Sequence, residues 1–485
     1  MDQELFRKKV LGAWLGKAVG GTLGQPWEGS SGPLALTYYD PVPKTMMPND
    51  DLDLQILWAC RLAGRWNGEI SRKLFGETWL ECVDFPFDEY GVAIRNLKLE
   101  IPAPQSGRYD NWFTDGLGAA IRSELWACLA PGNPELAAKY AFEDACVDHD
   151  GNGIYAEQFL AAMESLAFAD SSLDNVIQAG LSVIPADSLL AKAIRDTMKW
   201  CSETSDFLTI RSCILERYGS ANFTDVKMNL PFMVAALLLG KGDFGRSVCM
   251  AVNFGQDTDC TGATVGAVLG ILNPDSVSEH WLAPIGRTLV LSPEIHKITP
   301  PATLDEFTDL VIALKDRVFL SGRADAPVDL SRFRIPFRKS VFSPWFAGDF
   351  RKFRPAMAAP IEEISVPGNL FEVDFSDLPV DSLLMMETEF TLDSARKVRL
   401  LVNTPANMRV WLDNEFRFGR EGGPMVPAFH RAQLNQICDL ELEAGRHTLT
   451  MGFSPVSASM KKAEVLFGVS DSRNQWLAEL FRTRG

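Results

Sequence analysis

Two stripes of glycine set the strongest constraint on this chain. Gly12, Gly16, Gly20 and Gly24 recur every fourth position, and so do Gly262, Gly266 and Gly270. In a helix that spacing puts every glycine on one face. Each costs about 1 kcal/mol relative to alanine in a helix interior. Such a stripe persists only where two helix backbones approach closely. The stripes therefore predict two central, tightly packed helices, each with acidic residues at an end: Glu28 just beyond the first, Asp257 and Asp259 where the second begins.

The hydrophobic period then divides the chain. Up to about residue 312, apolar residues fall three and four apart, as in Ile154 to Leu166 or Leu304, Phe307, Leu310, Val311 and Leu314. Between 323 and 360, Pro327, Pro336, Pro344, Pro355 and Pro360 interrupt any period, which predicts a linker. Beyond 360 the period is two. Strands are expected at 383–392, 397–403, 408–412, 437–442, 447–453 and 463–469, with turns at Asp413-Asn414 and Glu443 to Gly445. The expected architecture is a multidomain α and β chain. An all-α orthogonal helical bundle (1–322) is joined by a Pro-rich linker (323–360) to a β-sandwich of the jelly-roll kind (361–485).

Composition narrows the class of partner. The chain has 485 residues, with 47 Lys and Arg against 63 Asp and Glu, a net charge of −16. That field works against non-specific binding to nucleic acid or anionic membranes and leaves room for a local basic pocket for a phosphorylated ligand. Nine cysteines without a C-x-x-C pair read as reduced, buried thiols of a cytoplasmic protein. The five histidines have no zinc spacing. Neither a secretory leader nor a bilayer-length apolar run is apparent, and the oligomeric state is not legible.

Two clusters concentrate carboxylates at helix starts. In Asn49-Asp-Asp-Leu-Asp53, Asn49 can cap a helix with Asp50 and Asp51 in its first turn, where the helix dipole favours acids whether or not a metal is present. In Gly255-Gln-Asp-Thr-Asp-Cys-Thr-Gly262, Asp257 and Asp259 project from one turn. Neighbouring carboxylates raise one another's pKa unless a cation lies between them. Oxygen-rich clusters suit hard cations such as Mg²⁺ or Mn²⁺. If the clusters meet, they can bridge two ions. Glu28, taken alone, reads equally as an exposed turn residue.

Together these segments resemble the ADP-ribosylglycohydrolase family, also called the dinitrogenase-reductase-activating glycohydrolase family. Gly12 to Glu28 is similar to its opening helix, glycine turn and acidic residue. Asn49 to Leu52 is similar to its Thr-Asp-Asp-Thr motif, and Gly255 to Gly270 to its Gly-Gly-Asp-Thr-Asp-Thr signature and following helix. The resemblance covers about residues 1–315. It implies an all-α fold with two Mg²⁺ or Mn²⁺ ions and no organic cofactor. It also implies cleavage of an N- or O-glycosidic bond at a ribosyl carbon of an ADP-ribosyl-like substrate. The partner expected is a small-molecule riboside or an ADP-ribosylated substrate.

Position by position, the resemblance implies Glu28 as the catalytic residue. The implied metal contacts are Asn49, Asp50, Asp51, Asp257, Asp259 and Cys260, with Asn49 and Cys260 standing where the family has threonine. Thr114 to Arg122 is similar to the family's phosphate-binding run and implies Gly116, Leu117 and Gly118 at the substrate. His149 resembles a substrate-proximal histidine, with a core or capping histidine as the equal alternative. Asp257-Thr-Asp-Cys-Thr261 also fits the D-x-D-x-T of a phosphatase, which needs it at the end of a strand in an α/β sheet. Other ribosides, furanosides or nucleosides remain alternative substrates, and a non-catalytic ligand-binding bundle is a further alternative. In the β half, Trp411 reads as core or as a sugar-stacking residue, and His430 and Arg431 as candidates for the rim of the helical cleft.

Overall fold

A computed structural model describes residues 2–322, 327–342 and 357–481. The chain divides into two compact units. The first comprises 1–84, 103–108 and the helical run from 113. The second comprises 85–102, 109–112 and the chain from 327 on.

The helical unit is built around the two glycine-bearing helices. Helix α1, Gln3–Gly24, is capped by Asp2, whose side chain accepts from Leu5 N at 2.8 Å. Helix α2, Asp50–Ala63, is capped by Asn49. Helix α3, Thr258–Leu272, runs antiparallel to α1. A methyl group built on Gly12, Gly16 or Gly20 would collide with the carbonyl of Gly270, Gly266 or Gly262 respectively, so the backbones lie in direct contact. Antiparallel contact places the C-terminal end of α1 beside the N-terminal end of α3, and Thr258 Oγ1 donates to Gly24 O at 2.8 Å. The chain that leaves α1 toward Glu28 is thereby delivered to Asp257 and Asp259.

The second unit is a two-sheet antiparallel sandwich. Its strands are β1 Ile335–Phe342, β2 Glu362–Val366, β3 Leu370–Asp374, β4 Leu383–Leu392, β5 Arg396–Asn403, β6 Asn407–Leu412, β7 Glu415–Glu421, β8 Ile437–Leu442, β9 Gly445–Ser454 and β10 Lys462–Ser470. One sheet has the order β2-β1-β4-β9-β6-β7 and the other β8-β5-β10-β3. Alternate residues of both face one apolar core, with Phe337, Met386, Val410 and Met451 from the first sheet and Phe371, Val402, Val465 and Phe467 from the second.

Two boundaries differ from the sequence expectation. The 323–360 segment does not act only as a linker: β1 lies within it and pairs with both β2 and β4, Arg338 opposite Glu387. Pro336 escaped notice as a strand residue because its ring removes a donor and masks the alternation. Pro344 and Pro355 lie outside the described residues. The helix Asp88–Lys98, expected in the helical half, packs in the β unit: Arg95 lies 4.6 Å over the Trp476 ring and pairs with Asp110 at 3.0 Å. Asp110 in turn accepts from Asn369 N at 2.9 Å, and Tyr109 Oη donates to Pro367 O at 2.6 Å. Helical periodicity identifies such a helix but does not say which core it joins.

Candidate metal centre

The site forms where three chain segments meet at helix ends. Past α1, Gly29 N donates to Gln256 O at 2.9 Å and Gln256 N to Ser30 O at 2.7 Å, so the turn carrying Glu28 is hydrogen-bonded to the turn carrying Asp257. Gln256 takes a φ of 71°, held there by this pairing. Asp257 N is met by Asn229 Oδ1 at 3.4 Å. The third segment is the start of α2. Asn49 Oδ1 accepts from Asp51 N at 2.8 Å, and its Nδ2 donates to Asp259 Oδ2 at 3.1 Å. The amide thus ties α2 to α3 and presents nitrogen, not oxygen, to Asp259.

Two triads result, each with ligand atoms within 4.8 Å of one another: Glu28, Asp257 and Asp259, and Asp51, Asp259 and Cys260. Asp259 belongs to both. Its Oδ1 is buried without a hydrogen-bond partner, an expense that a bound cation removes. Burial, with the charges of Glu28 and Asp50, pushes Asp259 up to about 7. Burial, with Asp259 and Glu28, pushes Asp257 well above the carboxylate range. Asp51 rises to about 7 through burial and Asp259, against the opposing charge of Lys17. Burial is the first cause of all three shifts and the neighbouring carboxylates add to it, with Lys17 offsetting part of it at Asp51. The residues present therefore fit a divalent cation, with Asp259 able to bridge two. Asp50 joins neither triad but adds its charge to Asp259 and Cys260. Glu28 is the exposed member, and Asp257 and Asp259 are buried.

Sequence reasoning missed the support behind these acids. Lys17, midway along α1 and 1% exposed, places Nζ 3.3 Å from Asp51 Oδ1 and 2.9 Å from Glu124 Oε1. Burial would lower its pKa, but Glu124 and Asp51 outweigh that and keep it charged. Gln55 donates to Glu124 Oε2 at 2.8 Å and accepts from Leu125 N at 2.8 Å. The signal was present: a lysine between Gly16 and Ala18 on a glycine-striped central helix has no solvent to reach.

Gly116, Leu117 and Gly118 form a buried turn with Gly116 N bonded to Phe113 O at 2.9 Å. His149 is fully buried, its Nδ1 2.9 Å from Asp148 Oδ1 and its Nε2 facing Ala119 N at 3.4 Å. Arg122 grips Asp144 and Asp148 with four bonds of 2.9–3.1 Å. His149 therefore braces the backbone just after that turn. In the β unit, Trp411 is fully buried against Leu383 and Met385 on the outer side of its sheet, which removes it as a stacking platform. Arg431 pairs with Asp88, and the His430 ring meets Phe87 at 5.2 Å, so both hold the 85–102 segment within that unit.

The sequence model of the ADP-ribosylglycohydrolase family matches residues 2–316, which contain both triads. The chain belongs to that family. An uncharacterized protein of Archaeoglobus fulgidus is 28% identical over 302 residues, covering 58% of this chain and 91% of its own. A solved structure titled "ADP-ribosylglycohydrolase-related protein complex" is 20% identical, with a TM-score of 0.46 over 65% of this chain and 100% of that one. A β-glucosidase from Kluyveromyces marxianus in complex with glucose gives a TM-score of 0.21 at 11% identity over 33% of this chain and 21% of that one. Neither structural likeness carries an argument about function. Family membership supports a glycohydrolase function and a metal-dependent site. No described helix is long and apolar enough to cross a membrane.

Proposed function

We propose that this protein is a metal-dependent glycohydrolase that cleaves an N- or O-glycosidic bond at a ribosyl anomeric carbon, with ADP-ribosyl-like compounds as the leading substrate class. The observation that carries the reading is the exposed Glu28 carboxylate beside buried Asp257 and Asp259, on segments that the family covers. Glu28, Asp257 and Asp259 would hold one Mg²⁺ or Mn²⁺, and Asp51 and Asp259, with Asp50 and Cys260 close by, a second cation. Bound there, such ions supply Lewis-acid polarisation of ribose hydroxyls and of water.

The chain's own groups do the rest. Glu28, the member open to solvent, orients a water against the anomeric carbon and takes its proton as the carbon–oxygen bond forms. The glycosidic bond breaks in the same displacement, and its electron pair leaves with the aglycone, which gains a proton. Lys17 fixes Asp51 from behind, and Asn49 fixes Asp259, so both carboxylates are preorganised.

The test is a hydrolysis screen over ADP-ribosyl compounds and simpler ribosides or furanosides, with and without Mg²⁺ or Mn²⁺. We expect metal-dependent release of ribose or ADP-ribose. Glu28→Gln should lower the rate by about 10²- to 10⁴-fold at an unchanged melting temperature. Metal-independent turnover, or full activity in Asp259→Asn, overturns the proposal. The D-x-D-x-T phosphatase alternative lacks its context: Asp257 opens a helix packed antiparallel on another, and the described parallel pairing, Glu69–Ile70 with Phe319–Leu320, is only two residues long. Binding of ribosides without turnover would mark a non-catalytic bundle.

A further inference from the structure

The two triads differ chemically. The first offers three carboxylates, a donor set for a hard cation. The second offers two carboxylates and the thiol of Cys260. Asp51 brings only part of its capacity, because the Lys17 ammonium already lies 3.3 Å from Oδ1. The oxygen left over, Oδ2, is the one that Cys260 Sγ faces at 3.6 Å. Asn49, the other polar neighbour, turns nitrogen toward Asp259. A magnesium ion prefers six oxygens in near-octahedral array, and this pocket instead converges on oxygen and sulfur. Asp259, the third member of this triad, has a buried Oδ1 with no hydrogen-bond partner, an atom that a bound cation would satisfy.

We infer that the Asp51–Asp259–Cys260 subsite takes a thiophilic divalent cation, of the Zn²⁺ or Co²⁺ class, with Cys260 as a thiolate ligand, while the Glu28–Asp257–Asp259 subsite keeps a hard one. The inference rests on the metal-hydrolase reading for the presence of cations, but not on which bond is cleaved. Ligation forms a metal–sulfur bond and releases the thiol proton to solvent, with no change of oxidation state. Four-coordinate geometry suits such an ion, so the modest donor count of this subsite is no handicap.

The full-length, reduced protein, stripped of metal, is titrated with Co²⁺ in the presence of Mg²⁺. Binding is read by calorimetry and by the ultraviolet sulfur-to-cobalt charge-transfer band. The wild type should develop that band as one equivalent binds. Cys260→Thr and Cys260→Ser should lose it, with Co²⁺ affinity lowered by at least about tenfold while Mg²⁺ affinity stays level or rises. Should neither variant fold, the cadmium NMR shift of the wild type loaded with Cd²⁺ reads the sulfur ligand directly. Failure to bind Co²⁺, Co²⁺ bound without the band, a band that survives in both variants, an unchanged Co²⁺-to-Mg²⁺ affinity ratio, or a Cd²⁺ shift typical of oxygen ligands alone overturns the inference. The band without riboside turnover would remove the glycohydrolase reading and leave this one standing. Mg²⁺-dependent turnover with no band would do the reverse.

Discussion

The helical unit and the sandwich fill their interiors with different materials. The sandwich core is apolar: Leu449, Met451, Phe453, Val465 and Phe467 meet Phe337, Phe371 and Val402, and Glu387, Arg409 and Arg420 are buried less completely, at 7–8% exposure. The helical unit buries Lys17, Arg122, Glu124, Asp144, Asp148, Glu157 and Glu164, all at 1% exposure or less. Replacing a buried ion pair by well-packed hydrophobics is often neutral or stabilising, so stability alone does not account for so many. Burial pushes Glu157 and Glu164 up toward their neutral form, whereas the ion-paired groups share an attachment. Lys17 and Glu124 hold Asp51, while Arg122 and Asp148 hold His149 and through it the 116–119 turn. The β unit follows the same logic where it must fix a foreign segment, since its buried pairs Arg95–Asp110 and Arg431–Asp88 lie along residues 85–112. Buried charge in this molecule marks places where one orientation of a segment has to be chosen.

The largest effect expected from this contrast is at Arg122. Arg122→Met strands two buried carboxylates. One of them, Asp148, is raised by burial but held at about 2 by Arg122 and His149, so it is charged at neutral pH. The loss of stability in urea unfolding should be about 3–5 kcal/mol. A loss under about 1 kcal/mol would show that the cluster is dispensable and erase the distinction between the two cores.

Next is the glycine contact. Gly16→Ala drives a methyl group into the Gly266 carbonyl, backbone against backbone, and should cost about 1–3 kcal/mol or more. The separated helix ends should also weaken metal binding measured by calorimetry. Lost stability with unchanged metal affinity would show that the triads do not depend on how closely α1 and α3 pack.

A smaller effect lies at His430. Burial, helped by Arg431, lowers its pKa to about 4. A folded value below the unfolded one near 6.5 means that its contribution is present above about pH 6.5 and is lost as pH falls toward 4. The melting temperature of wild type relative to His430→Phe should therefore drop across that window. A pH-independent difference would place the ring in water.

The smallest effect is expected at the sandwich surface. Asp439→Asn breaks the pair with Arg399, whose Nε lies 2.7 Å away, yet Asp439 is 69% exposed. The change should stay under about 1 kcal/mol. A loss matching Arg122→Met would mean that the β unit relies on ionic contacts after all.

Much of this was legible in the sequence, for local reasons. The glycine spacing gives the α1–α3 pair because only a backbone contact demands it, and the acids at those helix ends follow. The strands β4, β5, β6, β8, β9 and β10 show in their alternation. The strands β1, β2, β3 and β7 did not, because Pro336, the short length of β2 and β3 and, in Glu415 to Glu421, only two apolar residues before Gly419 leave too little of a period of two. The burial of Lys17 has a local trace in the glycine stripe around it, but its partner Glu124, 107 residues away, has none. The destination of 85–102 was missed for the same reason. His149 was placed near substrate by resemblance, while its burial depends on Asp148 and Arg122, which only the tertiary structure brings together.

That destination has a temporal side. The helix Asp88–Lys98 leaves the ribosome more than 300 residues before its partners Arg431 and Trp476. At about 5–20 residues per second, the roughly 370 residues between Asp110 and the end of the sandwich take on the order of 20–70 s to synthesise. For much of that interval Arg95 and Trp112 wait for Trp476 and the residues around it, while the glycine helix α1 waits for α3. The nascent chain must therefore be kept from premature association at two separate places, and the one made second, Asp88–Lys98, is also released second.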